Sequence, residues 1–594
     1  MSARYDQDDI FSSRRDGSVF IRLAQVLDPD RSIVALGMLC VVVASICDLV
    51  IPVILSRTAQ SITDSRSQQR FTWLAIFLAL AVALRFAGQF GQFSIFTWFN
   101  HRLGLALRNR LFRHLQDLGP PFVDQLGVGR VMTRIIGDVG VVNEMFGTGV
   151  ISLIANVTVL FGIAIVMLVA NWRLALVAFI LMPPMAAGSV WWRRDAIARF
   201  RRNRAANTAV NAFVAQAIDG ARVIQAFAEE PAAVQEFDAL NRTLYNTVKK
   251  SQRRSAMLSP TLQFISYFTI VGVLIVGGTS ILGTTPSVGE LVLFTSLVDR
   301  FFLPIIQLGD LVTVAQAGAA SAERIVSVLD SPPTVTDTPA AGEMPPIDGH
   351  VRYDNVRFGY GATEILHGID LEIEPGQTVA LVGETGSGKS TIASLLMRAA
   401  DPWSGEITID GHDLRSVTQR SLRTQYGVAL QEPYLFPGSI RDNMRIAAPN
   451  VTDAQIEAAV KRVGAHEFVM SLPEGYDTPV QERGARLSRG QRQLLAFARA
   501  LLADPRILIL DEASSGVDPL SEQLMQAAQR ELLRGRTSVV IAHRLGTIRE
   551  ADQVIVLKQG EIIERGRHEE LLKTGGYYAR LVAELHGAGE QEAA

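Results

Sequence analysis

Apolar residues come in long unbroken runs over the first half of the chain and in short runs over the second. The runs at 33–55, 73–98, 150–170, 174–192, 262–282 and 291–314 each come close to the ~20 residues a helix needs to cross a bilayer. Six such runs ahead of a half with ordinary alternating patterns predict six membrane spans rather than the buried helices of one soluble core. Between them, "LGLALRNRLFRHLQDL" and "AVNAFVAQAIDGARVIQAFAEE" keep an apolar period of about 3.6, so the membrane helices are expected to continue well beyond the bilayer. The stretch "SPPTVTDTPAAGEMPPIDG" reads as a linker because Pro and Gly punctuate it. After it, "TVALV", "RILILD" and "TSVVIA" are apolar runs of strand length, which predicts an α/β domain.

Composition sharpens this division. At 594 residues, with 48% hydrophobic and 20% charged, the chain is too long for one compact domain and more apolar than most soluble proteins. A net charge of −2 provides no global basic field, so a nucleic-acid partner is not expected. Cys40 and Cys47 share one apolar run, where helical rise separates them by ~10 Å, too far for a disulfide. They are expected to be small packing residues. The polar start "MSARYDQDDIFSSRRDG" lacks the features of a secretory signal peptide.

Basic residues orient the spans. The connection at 97–147 carries Arg102, Arg108, Arg110, Arg113, Arg130 and Arg134, and that at 193–258 carries "RRDAIARFRRNR" and "KKSQRR". Both are therefore expected in the cytoplasm, with both termini, although Arg57, Arg66 and Arg70 in the first outer loop run against the rule. Within the spans, Asp48, Arg85, Gln89, Gln92, Asn156, Asp299, Arg300 and Gln307 are polar. Two readings stand side by side, a polar cavity lining and pairing between helices.

The second half carries the chemistry. In "TVALVGETGSGKST" a strand precedes Gly383 and a helix follows Lys389, the context that gives G-x-x-x-x-G-K-[ST] its meaning. Backbone N–H groups across Glu384, Thr385, Gly386, Ser387, Gly388, Lys389 and Ser390 can wrap phosphates, with Thr391 next in the same helix. Lys389 can reach the β and γ groups, and Ser390 can hold Mg²⁺. In "RILILDEASSGVD" a buried strand delivers Asp511 and Glu512 at its carboxyl edge, where α/β sheets bind ligands. Asp511 suits the Mg²⁺ shell, and Glu512 suits orienting or deprotonating an attacking water. "TSVVIA" ends at His543, within reach of a γ-phosphate.

Together "GETGSGKST", Gln431 in "VALQEPYLFPGSIRDN", "LSRGQRQ", "LDEASSGVD" and "IAHRL", in that order, resemble an ATP-binding-cassette transporter. With the preceding spans, nearly the whole chain resembles an exporter-type (type IV) half-transporter like the bacterial multidrug and lipid exporters. The resemblance implies a six-helix transmembrane domain with long cytoplasmic helical extensions, followed by an α/β P-loop nucleotide-binding domain. The expected division is a cytoplasmic segment at 1–30, the membrane domain at 31–330, the linker at 331–348, the cassette at 349–585 and a tail at 586–594. The family's location is the inner (plasma) membrane, crossed several times, with ATP and Mg²⁺ as cofactors.

The same resemblance implies that Tyr360 stacks on adenine, that Gln431 links Mg²⁺ and γ-phosphate to the membrane domain, and that Asp518 forms a dimer-facing loop. "QERGARLS" resembles the stretch that senses the membrane domain, with Gln481 in place of a more usual glycine. "GPPFVDQLGVGR" and "AIDGARVIQAF" sit where the family has its coupling helices. "LSRGQRQ" becomes the signature, whose anion is the γ-phosphate of ATP on the opposite cassette, so a second half-transporter is required. Ser488 and Gln491 have the spacing of a capping box, and Gly490 lets the backbone approach closely. Arg489 departs from the usual signature, which places a heterodimer ahead of a homodimer. Its guanidinium is expected either in solvent or on the opposite γ-phosphate.

The expected function is ATP-driven export or flipping of a lipophilic or amphipathic substrate from the lipid bilayer by alternating access of a dimer. Import of a siderophore-like substrate on the same fold is the first alternative. A cassette ATPase without transport is the remote one.

Overall fold

The computed structural model describes residues 31–63, 68–180, 182–279, 287–481, 484, 486–512, 519–542 and 544–592. The chain divides into two compact units, Met1–Gln116 with Gly127–Ser331, and Asp117–Leu126 with Pro332–Ala594.

The first unit is helical. Its long helices are α1 (Arg31–Thr63), α2 (Gln68–Leu118), α3 (Val150–Phe179), α4 (Met182–Asp219), α5 (Glu230–Ser255), α6 (Leu258–Gly278) and α7 (Val288–Leu329). Among the described residues, Ser32–Ile62, Gln69–Leu118 and Val128–Phe179 are long and apolar enough to cross a membrane, and Gln263–Gly278 is a shorter apolar helix. The expected break between 170 and 174 falls inside α3, which is kinked at Asn171, where φ is −160° and ψ is 99°. The Asn171 side chain accepts from the Leu174 N–H at 3.3 Å, which restarts the helix beyond the kink. The expected span at 291–314 lies within α7, whose start is capped on both arms by Ser287 and Glu290.

Small residues bring these helices together. A Cβ on Gly91 would lie 2.9 Å from Cys40 Sγ, and one on Gly162 would lie 2.3 Å from Leu49 Cδ1. Such close backbone approach replaces hydrophobic driving force where lipid is the solvent. Both cysteines are free, and Cys40 packs as a small residue. Ile163, Met167, Leu174 and Ala175 of α3 bury against Val273 of α6 and Phe294, Leu297 and Phe301 of α7. Three of the polar span residues are joined in one cluster: Arg85 Nε lies 2.8 Å and Arg300 Nη1 lies 3.1 Å from Asp48 Oδ1. For these three, pairing between helices is present.

The second unit holds two sheets and a two-stranded ribbon. Its strands are β1 (Val351–Tyr360), β2 (Thr363–Ile373), β3 (Thr378–Val382), β4 (Ser404–Ile409), β5 (His412–Asp413), β6 (Tyr426–Ala429), β7 (Gly438–Ser439), β8 (Pro479–Val480), β9 (Ile507–Asp511), β10 (Thr537–Ile541), β11 (Gln553–Lys558) and β12 (Glu561–Gly566). The order in the larger sheet is β12-β11-β3-β10-β9-β6 and in the smaller β2-β1-β4-β5, with β7 pairing β8. In the larger sheet β11, β3, β10, β9 and β6 run parallel. Their side chains alternate between two buried cores. Val379, Leu381, Ile507, Ile509, Val539 and Ile541 face the smaller sheet's core, and Ala380, Val382, Leu508, Leu510 and Val540 face the helical one. Burial on both faces explains why these strands read as unbroken apolar runs.

The expected linker is pinned to this unit through a buried cation. Arg398, 1% exposed, donates to Val417 O at 2.6 Å and to Asp401 at 3.2 Å, and its Nη1 lies 3.5 Å from Asp337 of the Pro-rich stretch. Asp337 also accepts from the Gln419 N–H at 3.1 Å. Arg398→Met nearly keeps the volume but strips Val417 O and the two carboxylates of their donor, and it should destabilise the second unit by about 1–3 kcal/mol. Thermal unfolding of the purified protein reads this as a lowered transition, and an unchanged transition would contradict it.

Candidate nucleotide site

Strands buried on both faces can offer polar chemistry only at their ends. The adjacent parallel strands β3, β10, β9 and β6 end at Val382, Ile541, Asp511 and Ala429 on one edge of the sheet. The chain just beyond β3, β9 and β6 therefore gathers the loop Gly383–Ser390, the Asp511–Glu512 pair and Gln431 from three separate parts of the sequence. His543 and Asp518 lie outside the described residues.

The loop after β3 is shaped by glycines. Gly386 and Gly388 have φ of 87° and 104°, and Gly388 caps helix α8 (Lys389–Leu396) in a left-handed conformation. A Cβ on Gly383 would lie 2.2 Å from Leu557 O, and one on Gly388 2.6 Å from Leu366 Cδ2. Both positions exclude a side chain. Glu384, Thr385, Gly386 and Ser390 form an exposed rim, whereas Ser387, Gly388, Lys389 and Thr391 are buried. The first N–H groups of α8 have no intrahelical acceptor and carry the positive end of its dipole.

Lys389 is 6% exposed, and its ammonium donates to Gly383 O at 2.7 Å and Glu384 O at 2.9 Å. Burial pulls its pKa below the ordinary lysine value, while the negative charge of Asp511 works in the opposite direction. A cation drawn onto the loop's own carbonyls is poised to exchange them for a stronger anionic acceptor. Ser387 Oγ is buried without a hydrogen-bond partner at the base of the same loop. This orphaned hydroxyl, the glycine cradle and the lysine together fit a phosphate chain. The exposed Ser390 with half-buried Asp511 and exposed Gln431 offers the oxygen donors that suit Mg²⁺.

Glu512 is 8% exposed. Its N–H donates to Ile541 O at 3.1 Å, its Oε1 accepts from Thr547 Oγ1 at 2.7 Å, and its Oε2 accepts from the Arg544 N–H at 3.3 Å. Sequence reasoning missed Arg544 and Thr547, because no local pattern in "IAHRLGTI" marks them as neighbours of residue 512. It also missed Tyr577, whose hydroxyl donates to the Glu384 carboxylate, a bond that pushes the tyrosine up to about 12. Tyr360 ends β1 in the smaller sheet, half exposed and edge-to-face with Phe358 at 5.2 Å, so its ring is open to stacking.

The signature stretch starts helix α9 (Arg489–Leu502). Ser488 Oγ accepts from the Gln491 N–H at 3.2 Å, and Gln491 Oε1 accepts from the Ser488 N–H at 2.9 Å, so both arms of the capping box form. Gly490 is buried, while Ser488 is exposed. Arg489 differs from expectation. It is half-buried and lines a cavity with Gln493, Asp511, Glu512 and Arg544 of its own chain. Its spacing of four from Gln493 and eight from Phe497, which line the same cavity, puts it on the inward face of α9.

Two family models match the chain, the ABC transporter transmembrane region over residues 34–305 and the ABC transporter model over 366–515. The chain is 36% identical over 97% of its length to an uncharacterized ABC transporter ATP-binding protein, YknV, of Bacillus subtilis, covering 96% of that protein. The chain belongs to the ABC transporter family. It is also 32% identical to the ATP-dependent lipid A-core flippase of Syntrophus aciditrophicus, over 96% of this chain and 95% of that one. Among solved structures it is similar to a bacterial Atm1-family ABC exporter with ATP bound, with a TM-score of 0.75, 28% identity, and coverage of 93% of this chain and 98% of that one. This ABC transporter is thus an integral membrane protein, an exporter-type half-transporter with one membrane domain and one cassette.

Two substitutions test the phosphate cradle. Gly383→Ala drives a methyl into Leu557 O, and Lys389→Ala removes the ammonium. Each should weaken binding of a fluorescent ATP analogue about tenfold or more. Unchanged affinity in both would contradict the cradle.

Proposed function

We propose that the chain is one half of an ATP-hydrolysing exporter or flippase. The observation that carries this reading is the convergence of the Gly383–Ser390 loop, Asp511, Glu512 and Gln431 on one edge of a parallel sheet, in a chain that also carries a capped signature helix and a membrane domain. The expected domain bounds, membrane domain 31–330, linker 331–348 and cassette 349–585, belong to the same reading.

In it, the loop and α8 bind the phosphates, Lys389 reaches the β and γ groups, and Tyr360 stacks on the base. Ser390, Gln431 and Asp511 hold Mg²⁺, which when bound neutralises charge on the phosphate oxygens. Glu512 orients and deprotonates the attacking water, with His543 at the γ-phosphate. Ser488, Gly490 and Gln491 serve the nucleotide on the opposite cassette, so each site takes its parts from two chains. A heterodimer stands ahead of a homodimer because Arg489 departs from the usual signature.

The cargo is a lipophilic or amphipathic molecule taken from the inner membrane, with both termini on the cytoplasmic side. The names of the relatives, a lipid A-core flippase and an Atm1-family exporter, support outward movement. The Asp48–Arg85–Arg300 cluster supports a polar element among largely apolar spans.

Glu512→Gln should slow ATP turnover by two or more orders of magnitude while leaving ATP binding within about twofold, since it removes the carboxylate without touching the cradle. Retained turnover would overturn the role of Glu512. Transport assayed in inside-out vesicles over a panel of amphipathic compounds should show ATP-dependent uptake. Uptake only in right-side-out vesicles would establish import. A stable, ATPase-active dimer of this chain expressed alone would overturn the heterodimer.

A further inference from the structure

The Glu512 carboxylate is clasped by a segment far along the chain. Both of its oxygens accept from the stretch after β10, Oε1 from Thr547 and Oε2 from the Arg544 backbone. That stretch, the short helix Leu545–Glu550 with its cap Arg544, is itself tied to α10 (Pro519–Leu533) at two points. Gln529 Nε2 donates to Thr547 Oγ1 at 3.3 Å, and Arg544 Nη1 lies 3.5 Å from Glu522 Oε1.

The arrangement fixes a proton. A threonine hydroxyl has one hydrogen and rotates to suit its neighbours. With the Gln529 N–H directed at Oγ1, and the carboxylate 2.7 Å away on another side, the hydroxyl proton goes to Glu512. Gln529 is 8% exposed, so the donor that sets this direction is shielded from solvent. Nothing in core packing calls for the hydroxyl. Thr547 is half-buried, and it is the next residue, Ile548, that fills the core beneath this helix.

We propose that Thr547, oriented by Gln529, is a positioning residue for Glu512: it holds the carboxylate in the rotamer that meets the attacking water, and it acts only through that carboxylate. The proposal rests on the reading of Glu512 as the group that handles water. In-line attack tolerates little misplacement, so a carboxylate free to swing loses rate even when nucleotide binding is intact. The hydrogen bond selects the rotamer without a covalent or charged tether of its own.

The test uses the full-length protein as its assembled dimer in nanodiscs. Thr547→Val removes the hydroxyl at constant volume, and Thr547→Ser keeps it. We expect Thr547→Val to lower kcat about tenfold, the scale of one lost hydrogen bond, with KM for ATP unchanged, and Thr547→Ser to restore most of the loss. In a Glu512→Ala background, single-turnover hydrolysis should be no slower with Thr547→Val than without it. Parental kcat in Thr547→Val, failure of serine to rescue, or an equal further loss in the Glu512→Ala background would each overturn the positioning role. Parental turnover by Glu512→Ala alone would instead overturn the reading of Glu512 itself, so the two failures are distinct.

Discussion

Burial of a parallel sheet on both faces is the constraint from which the site follows. Along β3, β9 and β10 the side chains of Val379–Val382, Ile507–Leu510 and Val539–Ile541 alternate between two apolar cores, so polar function is pushed to the carboxyl edge. Because β3, β10, β9 and β6 are neighbours there, four segments distant in sequence arrive side by side. The edge also supplies what an anion needs, namely the open N–H groups of α8, glycines that leave room for it, and a lysine held off solvent. The same geometry explains why Lys389 and Asp511 feel each other's charge.

A second consequence concerns completeness. The cradle, the carboxylates and Gln431 sit together on one cassette, whereas the capped start of α9 offers its serine hydroxyl and N–H groups from a separate helix with an exposed N-cap. An exposed N-cap at the positive end of a helix dipole suits a phosphate bound elsewhere. Arg489 complicates this by turning inward. It lines a cavity with Asp511 and Glu512 of its own chain, and so brings positive charge near those carboxylates. On the proposed reading, the departure from the usual signature bears on the chain's own Asp511–Glu512 pair as well as on a nucleotide of the opposite cassette.

Much of this was legible in the residues. The spans follow from run length, the phosphate loop from an eight-residue pattern in strand–helix context, and the capping box from the spacing of Ser488 and Gln491. What was not legible needed long-range geometry. The clasp on Glu512 joins residues 512, 529, 544 and 547, brought together only by the adjacency of β9 and β10 and by the packing of α10. The inward turn of Arg489 depends on which face of α9 meets the core, and residue 489 borders the apolar stripe rather than belonging to it. Tyr577 and Glu384, 193 positions apart, meet at an edge that no local pattern encodes.

The central claim, that each nucleotide site is built from two chains, is tested most directly by a structure of the Glu512→Gln protein in its assembled dimer with ATP and Mg²⁺, determined by electron cryo-microscopy. ATP is expected with its phosphates in the Gly383–Ser390 loop of one chain and a γ-phosphate contact from the signature helix of the other. Where this chain supplies the signature, Ser488 and the Gly490 N–H make that contact. ATP held by the loop with no signature helix against it, or by loop and signature of the same chain, would contradict the account.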